Sequence, residues 1–196
     1  MRKGRIERVT AETTIRLALD LDGTGKNEIK INSGFMTHML QLFAGHGRFD
    51  LFLDAEGDVF VDQHHLTEDL GIALGQAVRE ALGNKAGIRR YADIILPMDE
   101  TLMLCAIDIS GRAYLGFDVE MPSPKVGEFD TELVKEFFLG FVRSAGVTLH
   151  FRELAGENTH HIIEAMFKAF ARVLAGAVSV DEKYRDEIPS TKGILE

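Results

Sequence analysis

The hydrophobic and polar positions along the chain follow two periods, and their order predicts a mixed helix and strand fold. Residues 5–20 alternate polar and apolar positions with several β-branched side chains, which predicts a strand. Glycine and asparagine in 21–29 predict a hairpin turn into another short strand. Residues 35–45 carry apolar residues at helical spacing, and 48–58 alternate again as a strand with a turn. Residues 63–82 predict a long amphipathic helix.

The second part of the chain predicts a similar order of elements. These elements are strands near 91–96, 102–109 and 113–119, a break at Pro122 and Pro124, a helix over 131–145, a strand and turn over 147–156, and a helix over 159–178. Both long helices open with the same pattern, His-His-x-x-Glu. Aligning the two patterns, with a two-residue gap, places LFLDAEG (51–57) beside LHFRELAG (149–156), and HMLQLFAGHG (38–47) beside EFFLGFVRSA (136–145). This indicates an internal duplication.

The predicted architecture is therefore α+β, with two similar halves packed into one unit. The repeats cover approximately 1–95 and 96–185, each a β-sheet packed on helices, and a polar C-terminal tail (186–196) follows.

Composition and charge limit the classes of function. The chain has 196 residues, of which 45% are apolar and 27% charged, as expected for one globular unit. A net charge of −9 disfavours a nucleic-acid or anionic-membrane partner, because either needs a concentrated basic face. The single cysteine, Cys105, forms no intrachain disulfide, which favours a reducing cytoplasm. We expect no signal peptide, since no apolar run follows the basic MRKGRIERVT, and no membrane span.

The two His-His-x-x-Glu patterns indicate metal binding. On a helix, His64 and Glu68 share one face, while His65 points about 100° away. The same holds for the pattern at 160–164. The second histidine of each pair would therefore bind a different metal ion from the first histidine and the glutamate, which share the other face. Two such helices can build two near-equivalent sites. Each site would take a His and a Glu from one helix and the odd histidine from the other.

The duplication adds a fourth ligand to each site. His38 in the first repeat aligns with Glu136 in the second. Nitrogen and carboxylate ligands without thiolate favour Mn, Fe or Zn over a structural zinc cage. His46 and His150 are expected to be ordinary structural histidines.

Ten short motifs carry a family resemblance through nearly the whole chain. They are RVTAET (8–13), GFMTHML (34–40), HGRFDL (46–51), VDQHHLTEDLGIALG (61–75), MDETL (98–102), IDISGRAYL (107–115), FDTELVKEFF (129–138), GVTLHF (146–151), ENTHHIIEAMFKA (157–169) and PSTKG (189–193). In this order they resemble imidazoleglycerol-phosphate dehydratase, a hydro-lyase of histidine biosynthesis. The resemblance implies ribosomal-protein-S5-domain-2-like halves that form a single catalytic unit. It also implies a homo-oligomer, an octahedral shell of twenty-four subunits with metal sites at subunit contacts.

The resemblance implies two Mn²⁺ ions per subunit, or other divalent metals in their place. One site would use His38, His65, His160 and Glu164. The other would use His64, Glu68, His161 and Glu136. Two positions depart from the family pattern: position 136 is often His, and Thr37 replaces an Asp that usually precedes the first ligand histidine.

The resemblance also implies the reaction and its residues. A small phosphorylated imidazole substrate, imidazoleglycerol phosphate, loses water to give imidazoleacetol phosphate through a metal-bound imidazolate and a diazafulvene-like intermediate. The implied catalytic residues are Glu12, His65 and Glu164. Contacts to the substrate are expected from Glu12, His38, His64, His65, Glu68, Arg90, Arg112, His160, Lys168, Ser190 and Lys192. The pattern alone places Glu12 on a strand surface as an ordinary carboxylate, and MDETL receives no chemistry.

Two other functions are consistent with paired metal sites. A di-metal phosphoesterase would release inorganic phosphate and would not need an imidazole ring. A metal-storage or structural metal shell would bind metal without turnover. The product formed, if any, separates these alternatives from the dehydratase.

Overall fold

The fold is described from a computed structural model, which describes residues 2–195. Met1 and Glu196, the outer ends of the predicted first repeat and of the tail, lie outside the described residues. The strands are β1 (Lys3–Val9), β2 (Thr13–Asp20), β3 (Asn27–Lys30), β4 (Asp50–Gly57), β5 (Tyr91–Met98), β6 (Thr101–Asp108), β7 (Tyr114–Asp118), β8 (Lys125–Val126), β9 (Phe129–Asp130) and β10 (Thr148–Ala155). The helices are α1 (Gly34–Gly47), α2 (His64–Leu82), α3 (Leu133–Ala145), α4 (Thr159–Val178) and a 3₁₀ turn (Glu182–Tyr184).

The predicted duplication is confirmed by the topology of the two main sheets. The first has the order β1-β2-β4-β3 and the second the order β5-β6-β10-β7. In both, the fourth strand of the order pairs parallel to its neighbour and the other pairs are antiparallel. Helices α1 and α2 of the first repeat correspond to α3 and α4 of the second.

The two repeats share one hydrophobic core. Alternate residues of β2 and β6 are buried, as expected for sheets that cover helices on one face. Across the repeats, α2 packs on α3 and α1 packs on α4. The buried apolar side chains of both repeats form one cluster, with phenylalanines of α3 and α4 at its centre. Within residues 2–195, no helix has the length and apolar character needed to cross a membrane.

The structure corrects several sequence predictions. The alternating segment 5–20 is two antiparallel strands, β1 and β2, because residues 10–12 form a turn. Residues 21–29 do not close a hairpin, since β3 pairs in parallel with β4 and not with β2. The short β8–β9 hairpin after Pro124 was not predicted. Strand β5 (Tyr91–Met98) spans the approximate boundary near residue 95 and belongs to the second sheet.

Candidate metal centre and active site

All four helices begin at the same end of the molecule. Phe35 contacts His160 and Phe43 contacts Phe170, so α1 and α4 run in the same direction. The close approaches of Gly71 to Phe137 and of Gly75 to Phe141 show the same for α2 and α3. A hydrogen bond of 2.6 Å from the Ser33 hydroxyl to Gln63 joins the starts of α1 and α2. Since His38, both histidine pairs and Glu136 lie in the first turns of these helices, the fold gathers them at one end.

Three of the predicted ligands meet in one cluster. His38 Nε2 lies 3.6 Å from Glu164 Oε2, and His160 Nε2 lies 3.3 Å from the same oxygen. One ligand atom from each of the three residues lies within 4.8 Å of the others. The side chain of Asn158 caps α4 by accepting the backbone N–H groups of His160 and His161, which fixes the helix start that carries the pair. The cluster has the separations that a single metal ion requires of its ligands.

Glu164 is a buried carboxylate held in its charged form. Burial would raise its pKa, but Lys168 Nζ, 2.5 Å away, and the two neighbouring histidines outweigh burial and lower the pKa. Thr37 takes no part in this cluster, because its hydroxyl donates to the carbonyl oxygen of Ser33 in its own helix. The side chain of Thr37 therefore does not orient His38, whose Nε2 lies 3.6 Å from Glu164.

The second predicted site is only partly assembled in one chain. His64 Nε2 and Glu68 Oε2 lie 3.9 Å apart on one face of α2, as the spacing requires. Glu136 is half-buried in the first turn of α3, and within residues 2–195 it forms no ion pair. His65 likewise stays outside the three-residue cluster. One chain thus brings together part of each predicted ligand set.

The odd histidine of each pair is held by a carboxylate that sequence reasoning did not select. His65 Nδ1 lies 3.0 Å from Asp58 Oδ2. His161 Nδ1 lies 2.8 Å from Glu100 Oε2. Because a carboxylate only accepts hydrogen bonds, Nδ1 is the donor in both rings, which makes Nε2 the nitrogen that a metal would bind. Glu12 lies 3.7 Å from Nε2 of His65, and Asp99 lies 4.0 Å from Nε2 of His161.

These hydrogen bonds also shift the titration of their partners. The hydrogen bond to Asp58 raises the pKa of His65, and the hydrogen bond to Glu100 raises the pKa of His161, in each case against a smaller effect of burial. The bond from His161 and the backbone N–H of Asn158 lower the pKa of Glu100 to about 2. Glu100 is therefore ionised at every physiological pH.

Glu12 lies in the exposed turn between β1 and β2, and not on a strand surface. Its Oε1 is 3.7 Å from His65 Nε2, and its side chain is 52% exposed. The following residue, Thr13, donates its hydroxyl to the buried carboxylate of Asp69 on α2, and Arg8 donates to the other oxygen. This network fixes the turn against the helix that carries His65.

A group of cations lies at the opposite end of the molecule. Arg90 Nε donates to Asp108 Oδ1 at 2.7 Å, and Arg112 lies 3.8 Å from the other oxygen of Asp108. Arg90 also donates to the carbonyl oxygen of Pro189, at 2.9 Å. This bond brings the tail with Ser190 and Lys192 to the same place, where the Lys192 N–H donates to the Ser190 hydroxyl.

The two ends are too far apart to act together within one chain. The backbone N–H of Arg90 donates to the carbonyl oxygen of Ala177, near the end of α4, whereas His160 opens that helix. Seventeen helical residues separate the two positions, which corresponds to about 25 Å at roughly 1.5 Å per residue. Among the predicted substrate contacts Arg90, Arg112, Lys168, Ser190 and Lys192, Lys168 alone lies beside the three-residue cluster.

One sequence signal points to Glu100, whereas Asp108 and Asp58 have none. Glu100 and Glu12 both precede a threonine, in MDET and TAET, and this shared pair of residues relates the two positions. Asp108 lies four residues before Arg112 in IDISGR, and this spacing does not predict their contact across a turn. Asp58 has no local signal, since its contact depends on where β4 ends relative to α2.

Comparison with known proteins relates the chain to one family over its whole length. The sequence profile of imidazoleglycerol-phosphate dehydratase matches residues 31–174. The imidazoleglycerol-phosphate dehydratase of Xanthobacter autotrophicus is 59% identical, over 100% of this chain and 99% of the relative. That of Methylorubrum extorquens is 58% identical, over 100% of both.

Solved structures agree with this relationship. The crystal structure of imidazoleglycerol-phosphate dehydratase from Staphylococcus aureus has a TM-score of 0.83 and 41% identity, and the match covers 91% of this chain and 99% of that one. A structure of the Pyrococcus furiosus protein in complex with (S)-C348 has a TM-score of 0.84 and 38% identity, covering 97% and 100%. The chain, with its duplicated fold and its paired histidine motifs, therefore belongs to the imidazoleglycerol-phosphate dehydratase family of hydro-lyases.

Proposed function

We propose that this chain catalyses the Mn²⁺-dependent dehydration of imidazoleglycerol phosphate to imidazoleacetol phosphate, a step of histidine biosynthesis. The observation that carries the proposal is the cluster of His38, His160 and Glu164, with two further histidines whose Nε2 atoms a metal would bind. Family membership supports the dehydration step. The buried, unpaired Cys105 is consistent with a reducing cytoplasm as the place of action.

The chemistry of the ligand set fits Mn²⁺. Imidazole nitrogen and carboxylate oxygen are ligands that first-row divalent metals share, and the cluster contains no thiolate that would favour a structural zinc site. Glu164 supplies an ionised carboxylate: Lys168 contacts its Oε1, while Oε2 faces His38 and His160, where an ion would bind. We propose two Mn²⁺ ions per subunit, held by the two ligand sets that the sequence predicts.

The two ligand sets are proposed to close between subunits. His65 would complete the cluster of His38, His160 and Glu164 by way of its Nε2. His161 would complete the pair of His64 and Glu68, with Glu136 as the further ligand. Since each chain brings together only part of either set, neighbouring chains must supply the rest.

The reaction needs an electron sink, because the C–H bond that breaks has no carbonyl group beside it. Mn²⁺ held by these residues would stabilise the substrate's imidazole ring as an anion, which promotes departure of the neighbouring hydroxyl group as water. The ring can then accept the electron pair of the C–H bond. Glu12 is the proposed base, since its carboxylate is exposed and reaches the neighbourhood of His65 Nε2 from the β1–β2 turn. It takes the proton from the carbon next to the one that loses its hydroxyl.

The substrate phosphate is proposed to bind the cation group of a neighbouring subunit. Arg112, whose side chain is 65% exposed, offers guanidinium N–H groups that match phosphate oxygens. Arg90 donates to Asp108 and Pro189 and would add its remaining N–H groups, and its bond to Pro189 keeps Ser190 and Lys192 at the same end. The three-carbon chain of the substrate spans only a fraction of the distance between the two ends of one chain. The site is therefore proposed to form between subunits, in an octahedral shell of twenty-four as the family resemblance implies. Lys168, beside Glu164, would meet the substrate from the metal side.

The deciding experiment uses protein stripped of metal with a chelator and incubated with imidazoleglycerol phosphate, with and without added Mn²⁺. Imidazoleacetol phosphate and inorganic phosphate are followed in the same tube. We expect the ketone to form only with metal, and no phosphate to be released.

Each other outcome identifies a different function. Release of phosphate would indicate a phosphoesterase. Bound Mn²⁺ with neither product would indicate a metal-binding shell without this chemistry. Ketone formation at an undiminished rate in fully stripped protein would reject the metal dependence.

A further inference from the structure

Glu100 occupies the same place in the second repeat as Glu12 in the first. Glu12 directly precedes Thr13, the buried first residue of β2, and Glu100 directly precedes Thr101, the buried first residue of β6. Both glutamates lie in the turn that leads into the second strand of their repeat. Glu100 in the motif MDETL is therefore the second-repeat counterpart of Glu12, which is the proposed base.

The strand register shows that this equivalence is structural. Five residues after each glutamate, Leu17 of β2 pairs with Leu53 of β4, and Cys105 of β6 pairs with Phe151 of β10. Leu53 and Phe151 are themselves matched when the two repeats are aligned on their histidine pairs. The two turns thus lie at corresponding points of the two sheets, each beside the odd histidine of its own repeat.

The two glutamates nevertheless have different surroundings. Glu12 is exposed and approaches His65 only at Nε2, 3.7 Å away. Glu100 uses both oxygens: Oε2 accepts from His161 Nδ1 at 2.8 Å, and Oε1 accepts from the backbone N–H of Asn158 at 2.9 Å. Glu100 is thereby tied to the first turn of α4, and both of its oxygens already accept hydrogen bonds.

The role that Glu100 plays for His161 is played in the first repeat by a different residue. Asp58, which follows β4, accepts from His65 Nδ1 at 3.0 Å. Both rings therefore have a protonated Nδ1, and both turn Nε2 away from the supporting carboxylate. A carboxylate that fixes the tautomer and orientation of an imidazole in this way raises its strength as a metal ligand.

We propose that the duplicated glutamate has divided into two roles: Glu12 is free to act as the base, and Glu100 is a positioning residue that presents His161 Nε2 to the metal, as Asp58 presents His65. The inference rests on the proposed function, since it takes His161 as a metal ligand. It explains why one of two equivalent carboxylates can serve as a base and the other cannot. It also predicts that the same substitution has different effects in the two repeats: Glu12→Gln lowers turnover and keeps the metal, whereas Glu100→Gln lowers the affinity for Mn²⁺.

The test measures Mn²⁺ binding to the intact oligomer by equilibrium dialysis, with metal analysis of the protein. In Glu100→Gln we expect the affinity of one of the two Mn²⁺ ions per chain to fall about 10- to 100-fold, because that ion loses a well-oriented ligand. The other ion should bind as in the parent protein. Glu157→Gln is the matched control, since Glu157 is an exposed carboxylate just before Asn158, and it should bind both ions normally.

A double-mutant cycle separates positioning from general loosening of the turn. In a His161→Ala background, Glu100→Gln should cause no further loss of Mn²⁺ affinity, because its effect acts through the ring that has been removed. An equal loss in both backgrounds would overturn the inference, and so would parent-like affinity in the single variant. If Glu100→Gln fails to assemble, Asp58→Asn applies the same measurement to His65, and unchanged affinity there would equally contradict the scheme.

The parent protein distinguishes failure of this inference from failure of the proposed function. A parent that neither binds two Mn²⁺ ions per chain nor forms the ketone would remove the proposed function itself. A parent that does both, with a Glu100→Gln variant that binds metal normally, would remove the inference alone.

Discussion

At the scale of single residues, the candidate site depends on a few carboxylates that differ in what surrounds them. Glu164 is buried between histidines and Lys168, Glu100 is fully hydrogen-bonded, and Glu12 is exposed. The same functional group can therefore bind a metal, orient a ligand or accept a proton, according to its partners. Substitutions at these positions should have distinct effects on metal content and on turnover.

Replacing Glu164 should remove both metal and activity. In Glu164→Gln the metal loses an anionic ligand and Lys168 loses its partner, so we expect metal affinity to fall on the order of 100-fold or more and turnover to be lost. Metal analysis and the ketone assay check this, with Glu157→Gln as the exposed control. Normal activity in Glu164→Gln would show that the metal site lies elsewhere.

Replacing Glu12 should separate turnover from binding. Glu12→Gln keeps the size of the side chain but cannot take up a proton. We expect kcat to fall by roughly 10²- to 10⁴-fold while Mn²⁺ content and substrate binding are retained. Glu7→Gln, on the exposed edge of β1, is the control. If Glu12→Gln turns over at the parent rate, another residue is the base.

Asp50 gives a pH-dependent prediction away from the site. Its Oδ1 accepts the backbone N–H groups of Thr24, Gly25 and Lys26, and these bonds lower its pKa below the ordinary value of 3.8. A lowered folded-state pKa contributes stability that is present above the unfolded pKa and lost as the pH falls through the folded one.

Asp50→Asn should therefore lower the Tm at pH 7, and the difference from the parent should shrink below about pH 4. Thermal unfolding across this range checks it, with the exposed Asp186→Asn as the control. A deficit that stays constant down to pH 2.5 would mean that the carboxylate charge is not the cause.

At the scale of elements, the site depends on helices that pack closely enough to bring their first turns together. A Cβ atom at Gly71 of α2 would lie 2.1 Å from the carbonyl oxygen of Phe137 in α3, far closer than any van der Waals contact. Helix α2 carries the first histidine pair and α3 carries Glu136. The glycine contact therefore sets the distance between parts of one predicted ligand set.

Gly71→Ala should push α2 and α3 apart. We expect the free energy of unfolding to fall by about 1–3 kcal/mol or more, because the added methyl meets backbone and not a flexible side chain. Gly45→Ala in α1 is the matched control: nothing lies within 4 Å of its added Cβ, so helix propensity should make it neutral or stabilising. Thermal or denaturant unfolding at equal protein concentration compares the two. Equal stability of both variants would contradict this account of the helix contact.

At the scale of the whole molecule, the predicted substrate contacts fall into two groups that one chain cannot bring together. The metal end carries the histidines, and the far end carries Arg90, Arg112 and the tail. Because the length of α4 separates the two groups, the proposed active site would form only between subunits. This leads to a test with mixed particles.

Two variants that are inactive alone should restore activity when they share a particle. Glu164→Gln damages the metal end, and Arg112→Ala removes a 65% exposed cation from the far end. Co-expressed with different tags and purified through both, the mixed oligomers should regain a clear fraction of the parent activity, because some sites combine an intact Glu164 with an intact Arg112. Mixtures of separately purified, unexchanged particles are the control. No recovery in particles that carry both tags would place a whole site within one chain.

The sequence by itself determined the duplication, the helices and the pairing of residues four apart on one helix. These features depend on local periodicity, so His64 with Glu68 and His160 with Glu164 follow from spacing alone. It did not determine the turn that splits residues 5–20 or the parallel pairing of β3, because alternation marks a strand without marking its partner.

Only the tertiary structure decided which distant residues meet. The convergence of four helix starts joins His38 to Glu164, and strand ends place Asp58 and Glu100 beside the odd histidines. The tertiary structure also places Arg90 at the opposite end of the molecule from the predicted metal ligands, although the family resemblance assigns both to one substrate site. Contacts of this kind depend on packing between elements far apart in the chain, and no local pattern records that packing.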